Sequence, residues 1–259
     1  MSTSPAFVPD FHERIADGRF ALGSWLTFTD AAAAEVMAGT GFDFFIVDGE
    51  HAPFGSAELL SVLIAARASG IPLLARVGAN EPIRIMNALD LGASGVVIPQ
   101  IRTADDVKRA VDWCRYPPDG LRGIAPRRAS EYGRHTGEYV AGANKLVTCC
   151  IQVETTDALR DLEQLLAVPG VDCVLIGPND LAASLGHRGD LAHPEVEAAI
   201  MRTLEVGRQA GVPIGVWTGS PDQARTRREQ GFAFGTLGTD YGFMAAAAEA
   251  AVAGVRGTD

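Results

Sequence analysis

The sequence predicts an α/β fold in which a single (β/α)8 TIM barrel spans residues 1–259. Eight short apolar runs, rich in β-branched and aromatic residues, alternate with eight segments that carry helical start and stop signals. Strict alternation favours a parallel sheet, and 259 residues suffice for eight such units to close into a barrel. An open doubly wound sheet is the alternative. However, no G-x-G-x-x-G follows the first strand and no G-x-x-x-x-G-K-[ST] occurs, so its nucleotide-binding forms lack their fingerprints.

In the first half of the chain, four strands are predicted at residues 20–26, 44–47, 71–77 and 95–99. The helices that follow them are predicted at residues 31–38, 56–68, 81–91 and 104–114, and a short helix at residues 11–17 precedes them. Asp30, Ser56 and Thr103 are expected to cap three of these helices, because their side chains can accept a hydrogen bond from the first turn. Gly70 and Gly92 mark the ends of two.

The second half begins with a break in this alternation. Residues 116–120 form a strong turn, and residues 121–145 are irregular, with a short helix predicted near Tyr139. The remaining strands are predicted at residues 146–153, 171–176, 212–216 and 234–237. Their helices are predicted at residues 156–166, 194–210, 222–230 and 245–255. Pro194 stands at the first helical position, where a missing N–H group costs nothing.

Composition narrows the possible partners and the compartment. The formal net charge of −10 argues against nucleic acid and against an anionic membrane. The N-terminal residues lack the basic and apolar regions of a signal peptide. Four cysteines without a C-x-x-C pair predict buried free thiols, and we expect a cytoplasmic protein.

Polar residues concentrate where the predicted strands end, which is where the active sites of barrels form. The residues that follow strands two to six in this way are Asp48, Glu50 and His51, Arg76, Gln100, Gln152 and Glu154, and Gly177, Pro178 and Asp180; Trp25 ends strand one. Glu154 and Asp180 close consecutive strands, which lie about 4.8 Å apart. Two carboxylates at that separation repel each other unless a positive group lies between them. They either bind a divalent cation or are strand-end carboxylates that are solvated or paired with arginine, and the topology leaves both interpretations open.

Two further residues have two interpretations each. His51 follows Asp48 by three residues, so it is either a polar loop residue or a base whose tautomer that carboxylate selects. Arg76 ends a buried strand and needs an anion, either a carboxylate of the protein or a substrate oxygen.

A series of motifs extends over nearly the whole chain: 42–43 with 48–53 (DGEHAP), Arg76, 116–123 (YPPDGLRG), 152–155 (QVET), 170–172 (GVD), 176–181 (IGPNDL) and 193–196 (HPEV). Taken together and in this order, the motifs resemble the metal-dependent (class II) pyruvate aldolases of the HpcH/HpaI aldolase family. That family includes 4-hydroxy-2-oxoheptanedioate aldolase and 2-dehydro-3-deoxyglucarate-type aldolases.

The resemblance implies a barrel of the phosphoenolpyruvate/pyruvate type. It implies a divalent metal ion, Mg²⁺, Mn²⁺ or Co²⁺, held by Glu154 and Asp180 with Gln152 beside it. Arg76 would stabilise the enolate, and His51, backed by Asp48, would handle protons. Backbone amides around Gly177, Pro178 and Asn179 would hold the oxoacid carboxylate, and Trp25 would line the aldehyde side. Family members usually assemble as homohexamers, trimers of dimers, with C-terminal helices exchanged between subunits.

The predicted function is therefore reversible cleavage of a 4-hydroxy-2-oxoacid into pyruvate, or hydroxypyruvate, and an aldehyde through a metal-stabilised enolate. The alternatives are an acyl-CoA lyase of the citramalyl- or malyl-CoA type and a non-catalytic oxoacid-binding barrel. An acyl-CoA needs a basic cleft, which the chain offers only around Arg127 and Arg128. Schiff-base catalysis needs a lysine at the strand ends. Lys108 and Lys145 are the only lysines, and neither is predicted there.

Overall fold

The computed structural model describes residues 8–16 and 18–257, and eight parallel strands within them close into a barrel in chain order. The strands are β1 Ala21–Leu26, β2 Phe44–Asp48, β3 Leu73–Arg76, β4 Gly95–Ile98, β5 Thr148–Val153, β6 Cys173–Ile176, β7 Ile214–Thr218 and β8 Phe234–Thr239. The predicted TIM barrel is thus confirmed.

Helices surround this barrel. They are α1 His12–Ile15, α2 Ala31–Ala38, α3 Ser56–Ala68, α4 Pro82–Asp90, α5 Ala104–Cys114, α6 Thr136–Leu146, α7 Thr156–Arg160, α8 Leu162–Leu166, α9 Pro178–Ser184, α10 Pro194–Ala210, α11 Pro221–Gln230 and α12 Asp240–Arg256. Within the described residues, none of these helices combines the length and the apolar character that crossing a membrane requires.

The apolar core has two layers, because the strands of a closed barrel bury both faces. The outer layer lies between the strands and the helices. The inner layer fills the barrel, where the rings of Phe44 and Phe234 lie 5.9 Å apart. Gly23 and Gly215 leave room for these rings, since a Cβ atom at either position would lie within 2.4 Å of a ring carbon.

Several predicted boundaries shift. Gly55, not Ser56, is the N-cap of α3, and its N–H group donates to Glu58 at 3.0 Å. The predicted helix 156–166 divides into α7 and α8 at Asp161. The last helix begins at Asp240, and α9 lies in a segment for which no helix was predicted.

Strand register positions the polar residues. Asp48 of β2 is the register partner of Arg76 of β3, so their side chains leave the barrel next to each other. Val153 of β5 is paired with Ile176 of β6, which places Glu154 beside Gly177. Residues far apart in the chain therefore meet at one end of the barrel.

Candidate active site

A cleft of about 750 Å³ opens at the carboxyl ends of the strands. Among the predicted site residues, those that line it are Trp25, Asp48, His51, Arg76, Gln152, Gly177, Pro178, Asn179 and Asp180. Glu154 lies behind this lining, with 1% of its surface exposed. All ten predicted site residues are therefore brought to one end of the barrel.

The guanidinium of Arg76 is held on several sides. Its Nε and Nη2 atoms donate to the two carboxylate oxygens of Asp48, at 3.1 and 2.8 Å. Its Nη1 atom lies 3.2 Å from Glu50, and its Cζ atom lies 4.5 Å from the ring centre of Trp25. Arg76 is 8% exposed, so these partners compensate a buried charge. They leave one N–H on each terminal nitrogen for another acceptor.

Asp48 contacts His51 through the backbone and not through the imidazole. Its Oδ1 atom accepts the N–H groups of Glu50 and His51, each at 3.0 Å. The His51 side chain is 65% exposed, and its Nε2 atom lies 3.8 Å from Glu50. Asp48 thus shapes the loop that carries His51, while Glu50 is the carboxylate nearest to the ring.

Glu154 is buried in a close arrangement at the end of β5. Gln152 donates its Nε2 hydrogen to Glu154, and the N–H group of Gln100 donates to the other carboxylate oxygen at 2.8 Å. Gln100 has a φ of 57°, a conformation that is uncommon for residues other than glycine. A Cβ atom at Gly177 would lie 2.7 Å from Gln152 and 2.8 Å from Glu154, so only glycine leaves these side chains in place.

Electrostatics raise the pKa of two carboxyl groups here. Burial raises the pKa of Glu154 to about 7; the Gln100 hydrogen bond opposes this, and the charges of Asp180 and Glu50 add to it. Burial also raises the pKa of Glu50, although the neighbouring Arg76 lowers it.

This arrangement fits a divalent cation. Four carboxylates, Asp48, Glu50, Glu154 and Asp180, share the site with one guanidinium. In the part of the chain that the structure describes, the buried Oε1 atom of Gln152 has no hydrogen-bond partner. Glu154 and Asp180 could supply the oxygen ligands that Mg²⁺ and Mn²⁺ prefer.

Not every predicted backbone donor is available. The N–H group of Gly177 donates to the carbonyl of Val153 at 3.2 Å, and Pro178 has no N–H group. The N–H groups of Asn179 and Asp180 remain, because in the first turn of α9 no helical carbonyl precedes them.

Sequence reasoning assigned no role to several residues in or beside the cleft. Glu50 and Gln100 had been placed at strand ends, and the DGEH motif was the available signal for Glu50. Phe28 and Tyr241 line the cleft. No pattern marked them, because each lies two positions beyond a strand end, in an irregular or helical segment.

A second group of possible metal ligands lies outside the cleft lining. The donor atoms of His187, His193 and Glu195 lie within 4.8 Å of one another. His187 Nε2 is 2.6 Å from Glu195, and His193 Nδ1 accepts the Glu195 N–H group at 3.2 Å. These contacts shape the start of α10 and account for the grouping without an ion.

Comparison with known proteins adds independent findings. A model of the HpcH/HpaI aldolase/citrate lyase family matches residues 21–247. The chain is 39% identical to a 2-dehydro-3,6-dideoxy-6-sulfogluconate aldolase from Pseudomonas putida, over 91% of this chain and 92% of that protein. It is 38% identical to a 4-hydroxy-2-oxo-heptane-1,7-dioate aldolase from Klebsiella pneumoniae, over 94% and 92%. A crystal structure of a protein of this family from Burkholderia cenocepacia superposes with a TM-score of 0.90 at 40% identity, covering 94% of this chain and 98% of that one.

Proposed function

Because the chain belongs to the HpcH/HpaI aldolase/citrate lyase family, we propose that it cleaves 4-hydroxy-2-oxoacids reversibly into pyruvate, or hydroxypyruvate, and an aldehyde. The predicted family and the predicted class of enzyme, a carbon–carbon lyase, are confirmed. The observation that carries the proposal is the position of the Arg76 guanidinium, which Asp48 and Glu50 hold at the cleft. The hydrogen-bonded pair Glu154 and Gln152 lies next to the same cleft.

In the cleavage direction, the bond between C3 and C4 breaks and its electron pair moves towards the 2-oxo oxygen. The remaining N–H donors of Arg76 stabilise the negative charge on that oxygen. His51, exposed at the cleft, takes the proton of the 4-hydroxyl group as the aldehyde forms, and its return to C3 of the enolate completes pyruvate. The N–H groups of Asn179 and Asp180 hold the oxoacid carboxylate.

Aldolases of this family generally depend on a divalent metal ion. In this chain Glu154 and Asp180 would hold it, and when bound it supplies Lewis-acid polarisation of the 2-oxo group. We take Mg²⁺, Mn²⁺ and Co²⁺ as the candidates. Activity of the chelator-stripped protein after addition of each ion identifies which of them serve.

A retro-aldol assay coupled to lactate dehydrogenase tests the proposal. The substrate is 4-hydroxy-2-oxovalerate. We expect pyruvate to form in the presence of a divalent ion, with reversible loss of activity after chelation. Full activity in excess EDTA would contradict the metal requirement. Absence of pyruvate with all three ions and a panel of 4-hydroxy-2-oxoacids would contradict the aldolase assignment.

The acyl-CoA lyase alternative receives less support. Of the two arginines that were to provide a basic cleft, Arg128 is 6% exposed and donates to the carbonyls of Leu91 and Leu63. Its guanidinium is therefore committed to the packing of the barrel and is not available to a nucleotide diphosphate.

The proposal extends to one barrel domain, a homohexamer with exchanged C-terminal helices, and a cytoplasmic location. Asp240 is the one buried residue among the helical positions of α12, whereas Met244, Val252 and Val255 are exposed, which supports a partner for this helix. Light scattering measures the assembly, and a monomer in solution would contradict the exchange of helices.

The cytoplasmic location is supported by the four buried free cysteines, which are typical of a reducing compartment.

A further inference from the structure

Three aromatic side chains line the cleft from neighbouring elements, since β8, which leads into α12, lies between β1 and β7. Phe28 follows β1, Trp217 lies in β7, and Tyr241 lies in the first turn of α12. We call Phe28, Trp217 and Tyr241 the aromatic wall. Phe28 is 37% exposed and Tyr241 54% exposed, so large apolar surfaces face the cleft without a partner from the described part of this chain. A ligand that covers such surfaces removes apolar area from water, which favours binding.

The aromatic wall is built on a fixed backbone. The carboxylate of Asp240, 5% exposed, accepts the N–H groups of Thr27, Phe28 and Tyr241 at 2.8, 2.9 and 2.9 Å. It also accepts the hydroxyl of Thr27 at 2.6 Å. One buried carboxylate therefore joins the loop after β1 to the start of α12, so the backbone that carries Phe28 and Tyr241 is held in place before a ligand arrives.

The charges around the cleft disfavour an anion beside this wall. Among the lining residues that the structure describes, Arg76 is the one arginine or lysine, and it already pairs with Asp48 and Glu50. A second anionic group on the substrate would find no uncommitted arginine or lysine there. It would meet aromatic faces and the carboxylates of Asp48 and Glu50, which outnumber the charge of Arg76, and both environments disfavour it.

These observations together identify the second substrate by its chemistry. We propose that the aldehyde is uncharged apart from its reacting carbonyl, and that its carbon chain lies against the aromatic wall. This inference rests on the proposed aldolase function and adds the class of aldehyde to it. Phe28, Trp217 and Tyr241 are then specificity-determining residues.

A matched pair of aldehydes tests the charge preference. Methyl 4-oxobutanoate and 4-oxobutanoate have the same chain and differ in one negative charge. With pyruvate as donor and the metal-loaded enzyme, we expect kcat/KM for the ester to exceed that for the acid by about tenfold or more, because like charges close together are strongly unfavourable. Equal values, or a preference for the acid, would overturn the inference.

Substitutions locate the preference on the wall. Tyr241→Ala should raise KM for methyl 4-oxobutanoate several-fold while changing KM for pyruvate much less, and Phe28→Lys should move the preference towards 4-oxobutanoate. Tyr132→Ala, on an exposed tyrosine outside the cleft lining, is the matched control and should behave as wild type. Unchanged aldehyde constants in both wall variants, with unaltered thermal melting, would refute the role of the wall.

Deuterium exchange at C3 of pyruvate separates this inference from the proposed function. The exchange needs enolate formation but no aldehyde. Exchange together with equal use of both aldehydes would overturn only the aldehyde class. Absence of both exchange and aldol product would overturn the aldolase function and this inference with it.

Discussion

At the scale of single residues, Arg76 allows several carboxylates to approach one another. It binds Asp48 through two nitrogens and Glu50 through the third, and its charge lowers the pKa of both Glu50 and Glu154 against the effect of burial. The planar guanidinium makes these contacts at once while lying over Trp25. The ammonium group of a lysine has a single nitrogen, so it cannot make these contacts with Asp48 and Glu50 in one planar arrangement.

Arg76→Lys should therefore lower kcat by about 10²–10³, the usual cost of losing one preorganised donor to a developing oxyanion. Arg84→Lys, on an exposed arginine that pairs with Glu81, is the matched control and should keep its rate. Steady-state kinetics with a saturating 4-hydroxy-2-oxoacid measure both. A lysine variant within about twofold of wild type would remove Arg76 from the enolate role.

His51→Ala should reduce turnover by about 10²–10⁴ if the imidazole transfers the hydroxyl proton. The side chain is 65% exposed, so the variant should fold with an unchanged melting temperature. Pyruvate binding, measured by calorimetry, should change far less than kcat. A variant that keeps its rate would assign proton transfer to another group.

At the scale of elements, the ends of β5 and β6 form one unit with the start of α9. Gly177 joins β6 to α9 and lets its backbone approach Gln152 and Glu154 too closely for a side chain. Pro178 then starts the helix, where its missing N–H group costs nothing. This connection brings Asp180 close enough to Glu154 for the charge of Asp180 to raise the pKa of Glu154.

Gly177→Ala should weaken binding of the divalent ion by about 10–100-fold, since its methyl group must displace residues at the proposed ligand site. Gly142→Ala is the control, because a Cβ atom there meets nothing within 4 Å and should slightly stabilise α6. Titration of the chelator-treated proteins with Mn²⁺ gives both affinities. Equal affinity in the two variants would contradict the tight arrangement.

The two lysines lie on elements that do not line the cleft. Lys108 is exposed on α5 and pairs with Asp112 at 2.7 Å, and Lys145 lies in the last turn of α6, before β5 begins. Neither belongs to the cleft lining. The structure thus agrees with the sequence argument against Schiff-base catalysis.

Borohydride added with pyruvate should neither inactivate the enzyme nor increase its mass. The Lys108→Arg, Lys145→Arg double variant should keep at least about half of its activity and its metal requirement, because the metal route needs no amine. Intact-protein mass spectrometry provides the readout. A pyruvyl adduct on either lysine, with proportional loss of activity, would overturn the metal mechanism.

At the scale of the whole molecule, barrel closure determines which residues share the site. The β1–β8 contact completes the barrel, and Trp25 Nε1 donates to Thr236 Oγ1 at 2.9 Å across it. At the end of β5, Glu154 is covered by Gln100, Gln152 and Gly177, so the fold must accommodate a carboxyl group that has little access to water. The raised pKa of Glu154 expresses that cost.

The metal-free protein should therefore become less stable as the pH rises through about 7, the folded-state pKa of Glu154. A pKa raised on folding gives stability that is complete below the unfolded-state pKa and disappears above the folded-state pKa. The Glu154→Gln variant has no titrating group at this position and therefore lacks this pH dependence. The difference in unfolding free energy between wild type and variant should thus change by up to about 3 kcal/mol between pH 5 and 8.

Urea unfolding in excess chelator at several pH values measures this difference, and the other titrating groups cancel between the two proteins. Parallel stability curves for wild type and Glu154→Gln would show that Glu154 does not titrate near neutral pH. A wild type that gains stability relative to the variant as the pH rises would reverse the sign and contradict its burial as a neutral acid.

The sequence alone determined the barrel and the residue types at its mouth. Alternating strands and helices report which backbone groups pair locally, and the change from apolar run to charged residues marks each strand end. Hence Asp48, Arg76, Gln152 and Glu154 were predicted to lie at one end of the barrel, and they do. The helix α9 was missed because Gly177 and the residues after it have the composition of a loop.

Only the tertiary structure decided which of these groups are partners. Asp48 binds Arg76 and the loop backbone and not the His51 ring, Glu154 is buried, and Asp240 holds the aromatic wall. A side chain's partner depends on which of several competing groups packing brings within about 3 Å, and strands far apart in the chain set that distance. Sequence patterns repeat over a few residues and therefore carry no information about the distance between side chains on such strands.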